Sequence, residues 1–345
     1  MSTPDADSIS IPVKSLKLEQ PIIEKSFFWN EQVIIEIDWR SQDKMKKALL
    51  FWYLDEANDL IRPLSITAKD ETLIKLSENL SRNLLLTRKA GKYKVHELVN
   101  GQDILLASDI VLSDEVSGLT ANKDRVYIVG YGTAIEIGKR QRKIGFYAGL
   151  SGNEWIGYRF VGATENALLL ASDRGEWGGE LHSVNLGLPM SRKAQLLIEG
   201  NIESLQQTKT GAWWVASRGR LYKLIDQGKN GFAKFVLEEQ QAEIKQGKFK
   251  TTFRAMTISD NNDIFLAADY QGLFKFREGI TTNLWGGPVA IWYDMPSRGV
   301  GSFPQNILVR EKRIYVASRS LGILIFEEKK ENSYEFVKQA VFSDK

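Results

Sequence analysis

The chain has 345 residues, of which 43% are hydrophobic and 26% are charged, an ordinary composition for a soluble globular protein. Its formal net charge of +3 is too small to predict binding to nucleic acid or to an anionic membrane. It contains no cysteine, which excludes disulfides, thiolate metal sites and cysteine nucleophiles.

The N-terminal segment carries acidic residues where a secretion signal would carry a basic end and an apolar run. No apolar stretch approaches the roughly 18 residues of a membrane span. We therefore expect a soluble cytoplasmic protein. Residues 1–20 are expected to form a flexible segment, within which Ile11–Leu18 is a candidate closing strand, and residues 21–345 to form one domain.

One pattern recurs along the chain: an apolar run, a pair of small residues, a polar break and a second apolar run, as in Ile264–Arg277. Anchored on the apolar residue before the small pair, the pattern is strong at Leu170, Val215, Leu266 and Val316 and degraded at Leu86, Ile128 and, most weakly, near Leu50. The steps are 36, 42, 42, 45, 51 and 50 residues. A four-stranded propeller blade takes about 40–50 residues. Seven anchors predict an all-β fold, a seven-bladed β-propeller of four-stranded antiparallel blades.

The sixth blade is predicted in most detail. Strand A is Phe253–Ser259, the sequence SDNND forms the turn, strand B begins at Ile264, strand C lies near Leu273 and strand D near Thr281–Trp285. We expect the pair of small residues in strand B because the inner strands of neighbouring blades lie close together near the channel, where small side chains fit. Gly272 is expected to give the link into strand C the conformational freedom that a turn requires.

The other blades are predicted from shorter stretches. Blade one uses Val33–Trp39 and Ala48–Leu54, and blade two uses Asn83–Arg88. Asp226–Lys250 is a charged insertion in which we expect strand D to run into a short helix. Leu284–Asn306 is a loop rich in Gly, Pro and aromatic residues, of the kind that carries function on a rigid scaffold.

The stretches GAWWVASRGRLYKL and NDIFLAADYQGLFKF resemble the repeats of the sensor propellers attached to two-component regulators. The resemblance covers about Leu168–Phe326. The architecture is WD40-like, but the Trp-Asp signature is absent. The resemblance implies the propeller fold and a binding role, and it carries no catalytic residues.

The motifs in the sequence predict no catalytic residue, no metal ligand and no cofactor. His96 and His182 lie in strand-like segments without zinc spacing. Gly132–Lys139 has the wrong glycine spacing for a P-loop. Asp260–Asp263 is interpreted as a turn rather than a calcium loop, and Lys139–Lys143 as a solvated hairpin turn.

We expect a ligand to meet the face formed by the D–A and B–C loops. The candidate residues either start strand A, lie in a B–C link or belong to the loop at Leu284–Asn306. They are Trp155, Arg159, Arg174, Trp177, Glu203, Arg218, Arg254, Tyr270, Trp285, Trp292, Tyr293, Arg298, Asn306 and Arg319. Arg174, Arg218 and Arg319 each follow a small pair closely. A ring of arginines would favour an acidic partner, and the alternative is that these arginines pair with carboxylates of the blades.

These residues favour a non-catalytic propeller that binds another protein through this loop face, as a scaffold or as a neutralising or regulatory binder. We expect it to act as a monomer. We expect neither nucleic acid nor a membrane as a partner. One alternative is an enzyme of the propeller hydrolase or lactonase type, with Glu203, Asp269 and Asn306 at the channel mouth. Another alternative is a sensor of a small ligand at the same mouth.

Overall fold

The structure is a computed structural model. It describes residues 23–37, 51–64, 70–78, 82–112, 115–147, 158–173, 178–187, 192–217, 219–228, 232–240, 245–246, 249–250, 253–268, 271–287, 304–318 and 321–342. The regular elements in these ranges are all β-strands. Within them, no segment forms a helix of the length and apolarity needed to cross a membrane.

The first fifteen strands are β1 (Ile23–Trp29), β2 (Gln32–Ile37), β3 (Phe51–Asp55), β4 (Leu60–Pro63), β5 (Thr72–Leu76), β6 (Asn83–Lys89), β7 (Lys92–Val99), β8 (Gln102–Ile110), β9 (Val116–Ala121), β10 (Val126–Gly130), β11 (Thr133–Ile137), β12 (Gln141–Tyr147), β13 (Tyr158–Ala163), β14 (Ala167–Asp173) and β15 (Gly179–Asn185). The remaining strands are β16 (Arg192–Lys193), β17 (Gln195–Glu199), β18 (Ile202–Gln207), β19 (Trp213–Ser217), β20 (Arg220–Asp226), β21 (Phe235–Gln240), β22 (Lys245–Gln246), β23 (Phe249–Lys250), β24 (Phe253–Ile258), β25 (Ile264–Ala268), β26 (Gly272–Arg277), β27 (Ile280–Trp285), β28 (Pro304–Arg310), β29 (Arg313–Ser318), β30 (Gly322–Lys330) and β31 (Ser333–Phe342).

Antiparallel pairing sorts the described strands, apart from the two-residue strands β16, β22 and β23, into seven groups of four, which we call blades one to seven. They are β1–β4, β5–β8, β9–β12, then β13, β14, β15 and β17, then β18–β21, β24–β27 and β28–β31. In each blade the strands are lettered A to D in chain order. The A strands of neighbouring blades, such as β24 and β28 or β9 and β13, pack against each other and surround a central channel.

The strands of a blade alternate in direction, so the propeller has two distinct ends. The A–B and C–D turns meet at one end, which we call the A–B face. The B–C and D–A connections meet at the other, which we call the D–A face. This assignment decides below which residues can share a site.

The hydrophobic core consists of apolar clusters that each lie between two neighbouring blades, seven among the described residues. Strand β14 shows the reason. Leu168 and Leu170 belong to the cluster with blade three, whereas Leu169 and Ala171 belong to the cluster with blade five. A B strand is therefore buried on both faces, which favours a continuous apolar run over alternation.

The ring is closed by contacts between blades one and seven. Their outer strands β4 and β31 pair in parallel, with Phe342 opposite Ile61. Nearby, the Glu56 carboxylate accepts hydrogen bonds from Arg310 Nη2 at 2.5 Å and from Arg313 Nη1 at 2.9 Å. Paired edges of this kind leave less exposed strand backbone for unwanted pairing.

The structure confirms the predicted β-propeller fold. Blade six has its strands where the repeat predicts them, and blade seven supplies four strands of its own. Ile11–Leu18 lies outside the described residues, and the boundaries of the domain stay predictions.

The short helix predicted after strand D of blade five is not seen in the described residues, where β22 and β23 pair antiparallel, with Lys245 opposite Lys250. Residues 241–244 lie outside the described residues. Another local prediction was wrong. The weak repeat at Leu50 was aligned with the B strands of the other blades, but the B strand of blade one is β2. Leu50 itself lies outside the described residues, and the next residue, Phe51, begins the C strand β3.

Candidate functional site

Every A strand contains a β-bulge near its first residue. In β13, for example, Tyr158 pairs with Ser172 and Phe160 with Ala171, which leaves Arg159 without an opposite residue. The residues at the equivalent bulges are Glu24, Ile74, Ser117, Arg159, Glu203, Arg254 and Gln305. A bulge bends its strand and re-aims the side chain it carries.

The bulge residues meet across the channel near the D–A face. Arg159 Nη2 of blade four donates to Gln305 Oε1 of blade seven at 3.1 Å. Lys25 Nζ of blade one donates to the Arg159 backbone oxygen at 3.3 Å. Arg254 Nη1 lies 3.6 Å from Glu203 Oε1. Side chains from blades that are not neighbours thus span the channel at this level.

A buried ionic cluster joins blade one to blade two beside these residues. Lys25 Nζ lies 3.5 Å from Glu36 Oε2 and also contacts Glu78, while Lys75 Nζ contacts Glu36. Burial alone lowers the pKa of Lys25, but the nearby Glu78 and Glu36 carboxylates outweigh it and raise that pKa above its ordinary value. Burial raises the pKa of Glu36, but Lys75 and Lys25 outweigh it and lower that pKa. Both side chains are therefore charged at neutral pH.

The carboxylates at this end of the channel face cations. Of the three residues considered for a metal-dependent enzyme, Glu203 lies beside Arg254, Asn306 is buried, and Asp269 lies outside the described residues. Over the described ranges, no three His, Cys, Asp or Glu side chains are grouped closely enough to hold a metal ion.

A cavity of about 2210 Å³ lies at the opposite end of the channel, and we call it the A–B cavity. Its rim is built from A–B turns of six blades, which contribute Glu31, Asp124, Glu165, Lys209, Asp260 and Glu311. It reaches into the channel as far as Ser26 and Asn306, and Glu78, in the A–B connection of blade two, also lines it. The side chains that span the channel near the D–A face lie beyond this floor.

Hydrogen bonds between blades hold the wall of the A–B cavity. The Asp226 carboxylate of blade five accepts from Asn166 Nδ2 of blade four at 3.2 Å and from the Gly228 backbone N–H at 2.8 Å. The Ile258 N–H of blade six donates to Gln206 Oε1 of blade five at 3.3 Å. These bonds fix the turns relative to one another, which makes the wall a preformed surface.

Several polar atoms in this wall have no hydrogen-bond partner within the part of the chain that the structure describes. Asn306 Oδ1, Ser26 Oγ and Trp213 Nε1 are buried and make no hydrogen bond to a described residue. Tyr334 also lines the cavity; its burial and the neighbouring Glu328 carboxylate raise its pKa to about 12, so its hydroxyl is protonated at neutral pH. The wall therefore presents both acceptors and donors.

The structure describes five of the fourteen predicted binding residues. Arg159, Glu203, Arg254 and Asn306 all lie on A strands at the channel. Trp285 packs in the core between blades six and seven, with its ring centroid 4.9 Å from that of Phe326.

The other nine lie outside the described residues: Trp155, Arg174, Trp177, Arg218, Tyr270, Trp292, Tyr293, Arg298 and Arg319. The binding role of the fourteen stays a prediction.

The A–B cavity was missed in the sequence because its rim consists of short polar turns. SDNND in blade six was interpreted as a turn, which is correct, since Asp260 and Asn261 join β24 to β25. Nothing in one turn indicates that turns from six blades meet. The basic cluster Lys139–Lys143 is only partly a turn, because Arg142 lies in β12 and donates to Glu136 Oε2 at 2.7 Å.

No protein-family model matches the sequence, and no curated protein matches it. Among solved structures, the chain is similar to the β-propeller domain of Myceliophteria thermophila Cps50 (Swd1), with a TM-score of 0.52, 12% identity, and coverage of 92% of this chain and 99% of that chain. It is similar to YCF48 bound to D1 peptide, with a TM-score of 0.50, 11% identity and coverage of 95% and 98%. It is also similar to KlHsv2 with loop 6CD replaced by a Gly-Ser linker, with a TM-score of 0.50, 12% identity and coverage of 92% and 98%.

These likenesses concern the fold. They agree with the strand order and with the core clusters that lie between neighbouring blades. The chain therefore has the β-propeller fold.

Proposed function

We propose that this protein is a binding propeller that holds a polypeptide segment of a partner protein in the A–B cavity. The observation that carries the proposal is the cavity itself, about 2210 Å³ framed by turns of six blades. Pockets for small molecules are usually about 300–1,000 Å³. A cavity above that range suits a chain segment better than a single metabolite.

The composition of the wall supports the same proposal. Apolar side chains such as Phe28, Val161 and Leu284 line the cavity together with polar turns. A polypeptide presents alternating apolar side chains and backbone donors and acceptors, so it can use both kinds of surface. Because the wall is preformed, little conformational entropy is lost in the protein on binding.

One solved structure with this fold, YCF48, is described as bound to a peptide, the D1 peptide. That description supports polypeptide binding as a use of the fold.

The test starts from a random peptide library displayed against the whole protein. Enriched peptides are then titrated against wild type and a double variant, Gln207→Trp with Asn261→Trp, which adds bulk at two uncharged lining positions. The matched control is Gln102→Trp with Gln195→Trp, two exposed positions on outer strands. We expect at least about tenfold weaker binding by the cavity variant and unchanged binding by the control.

A library that yields no binder, or binders that the cavity variant holds as tightly as wild type, would overturn the proposal. A third variant, Trp292→Ala with Arg298→Ala, changes the loop between blades six and seven that the sequence favoured. Loss of binding in that variant alone would move the site to the D–A face.

A further inference from the structure

We infer that the segment bound in the A–B cavity is basic, an extended polypeptide with Lys or Arg side chains. This inference rests on the proposed function, because it names the chemistry of the partner that the same cavity takes. It is carried by the charge of the lining and by buried polar atoms in the wall.

The lining is acidic although the chain as a whole is not. Among the described residues, nine carboxylate side chains and five basic side chains line the cavity. The formal net charge of the chain is +3. Acidic groups are therefore concentrated at the A–B face, while the basic excess lies elsewhere on the molecule.

Most of these carboxylates are not neutralised by a neighbour. Among the described residues, six lining carboxylates have no Lys, Arg or His nitrogen within 4.0 Å: Glu31, Asp124, Glu165, Asp226, Glu311 and Glu328. Among the described residues, only three lining lysines have no carboxylate oxygen within 4.0 Å: Lys123, Lys223 and Lys275. The unpaired acids belong to blades one, three, four, five and seven, so they surround the opening.

Carboxylates that surround a concave opening act together. Their fields add inside the cavity and raise the local concentration of cations, which speeds association with a basic ligand. Since Glu31, Asp124, Glu165 and Glu311 are exposed, this attraction is screened by salt.

The buried wall supplies the second, independent observation. Asn306 is 5% exposed and lines the cavity, and its Oδ1 accepts no hydrogen bond from a described residue. Buried acceptors are normally satisfied, so an acceptor left open at the floor of a cavity is available to a donor on a ligand. Trp213 Nε1, in the same wall, is a donor left open in the same way. A segment that offers N–H donors and carbonyl acceptors matches both atoms.

The experiment uses the whole protein and three versions of one peptide taken from the library, identical except that the charged positions are all Lys, all Gln or all Glu. Fluorescence anisotropy is measured at low and at high salt. We expect the Lys version to bind most tightly and the Glu version most weakly, with the difference shrinking as salt increases.

Two variants locate the effect. Asp124→Asn with Glu165→Gln removes two rim carboxylates, and we expect it to weaken the Lys version roughly fivefold at low salt while leaving the Gln version unchanged. The matched control, Glu238→Gln with Glu335→Gln, removes two exposed carboxylates from outer strands and should leave both peptides unchanged.

The outcomes separate this inference from the proposed function. If the Gln or Glu version binds as tightly as the Lys version, and the Gln207→Trp, Asn261→Trp variant blocks them equally, the basic preference is wrong and the polypeptide site stands. If no version binds, both are wrong. If the rim and control variants weaken the Lys version equally, the attraction is a general surface effect and the inference is wrong.

Discussion

The Arg159 guanidinium of blade four reaches the Gln305 side chain of blade seven across the central channel, with 3.1 Å between Nη2 and Oε1. The two residues are 146 positions apart in the chain, and each occupies the bulge of its own A strand. Because the bond joins blades that are not neighbours, it couples opposite sides of the ring.

We expect this coupling to be measurable as a stability term. In a double-mutant cycle of Arg159→Ala and Gln305→Ala, the interaction free energy should be about 1 kcal/mol, as for a partly buried side-chain hydrogen bond. Urea unfolding of the four proteins measures it. A cycle that pairs Arg159→Ala with Gln207→Ala should give an interaction energy near zero, and equal values in the two cycles would contradict a direct bond.

The buried cluster predicts a large loss for Lys25→Met. The Lys25 side chain is 5% exposed, and its removal leaves Glu36 and Glu78 with less compensating charge. Removal of one partner of a buried pair costs about 3 kcal/mol or more in the free energy of unfolding. Lys89→Met is the control, since its partner Asp70 is 3.7 Å away and both side chains are mostly exposed. It should cost less than about 0.5 kcal/mol.

The lowered pKa of Glu36 predicts the direction of the acid response. A group with a lowered pKa in the folded state contributes stability above its ordinary pKa of 4.5 and loses it as the pH falls through the folded value. The stability advantage of wild type over Glu36→Gln should therefore be full at neutral pH and shrink steadily below about pH 4.5. Urea midpoints measured from pH 7 down to pH 3 check this, and an advantage that grows on acidification would show the opposite linkage.

Gly272 predicts a strong cost for any side chain at the start of strand C. Its φ is +96°, and a Cβ there would lie 1.8 Å from the Trp285 backbone oxygen. Gly279 has a similar φ of +84°, but a Cβ there would meet nothing within 4 Å. Gly279→Ala should therefore cost about 1 kcal/mol from the backbone conformation alone. Gly272→Ala should cost about 3–4 kcal/mol, because the strands must also separate. Thermal unfolding of the two variants compares them, and equal losses would rule out the steric part.

The repeat was readable from the sequence because its signals are local. Apolar runs, small pairs and turn residues within about 50 positions predict the strands of blade six, and β24–β27 confirm them. The repeat failed at Leu50, where the large residues Phe51 and Trp52 stand in place of the small pair. The bulge register shows that Ile35 is the equivalent of Leu170, since Lys25 pairs with Glu36 as Phe160 pairs with Ala171.

The role of Gly272 was only partly readable. The sequence predicts a link that needs conformational freedom, and the positive φ agrees. The close approach of the Trp285 carbonyl was not predictable, because it depends on how strand D lies against strand C.

The sequence by itself therefore determined the propeller fold, the strands of blade six and the continuous apolar runs of the B strands. These follow from hydrophobic periodicity and turn chemistry, which act between near neighbours. The tertiary structure alone decided which face carries the cavity, that Arg159 spans the channel to Gln305, and that Glu31, Asp124, Glu165 and Glu311 share one opening. Those relations join residues from different blades, and only closure of the ring brings their side chains together.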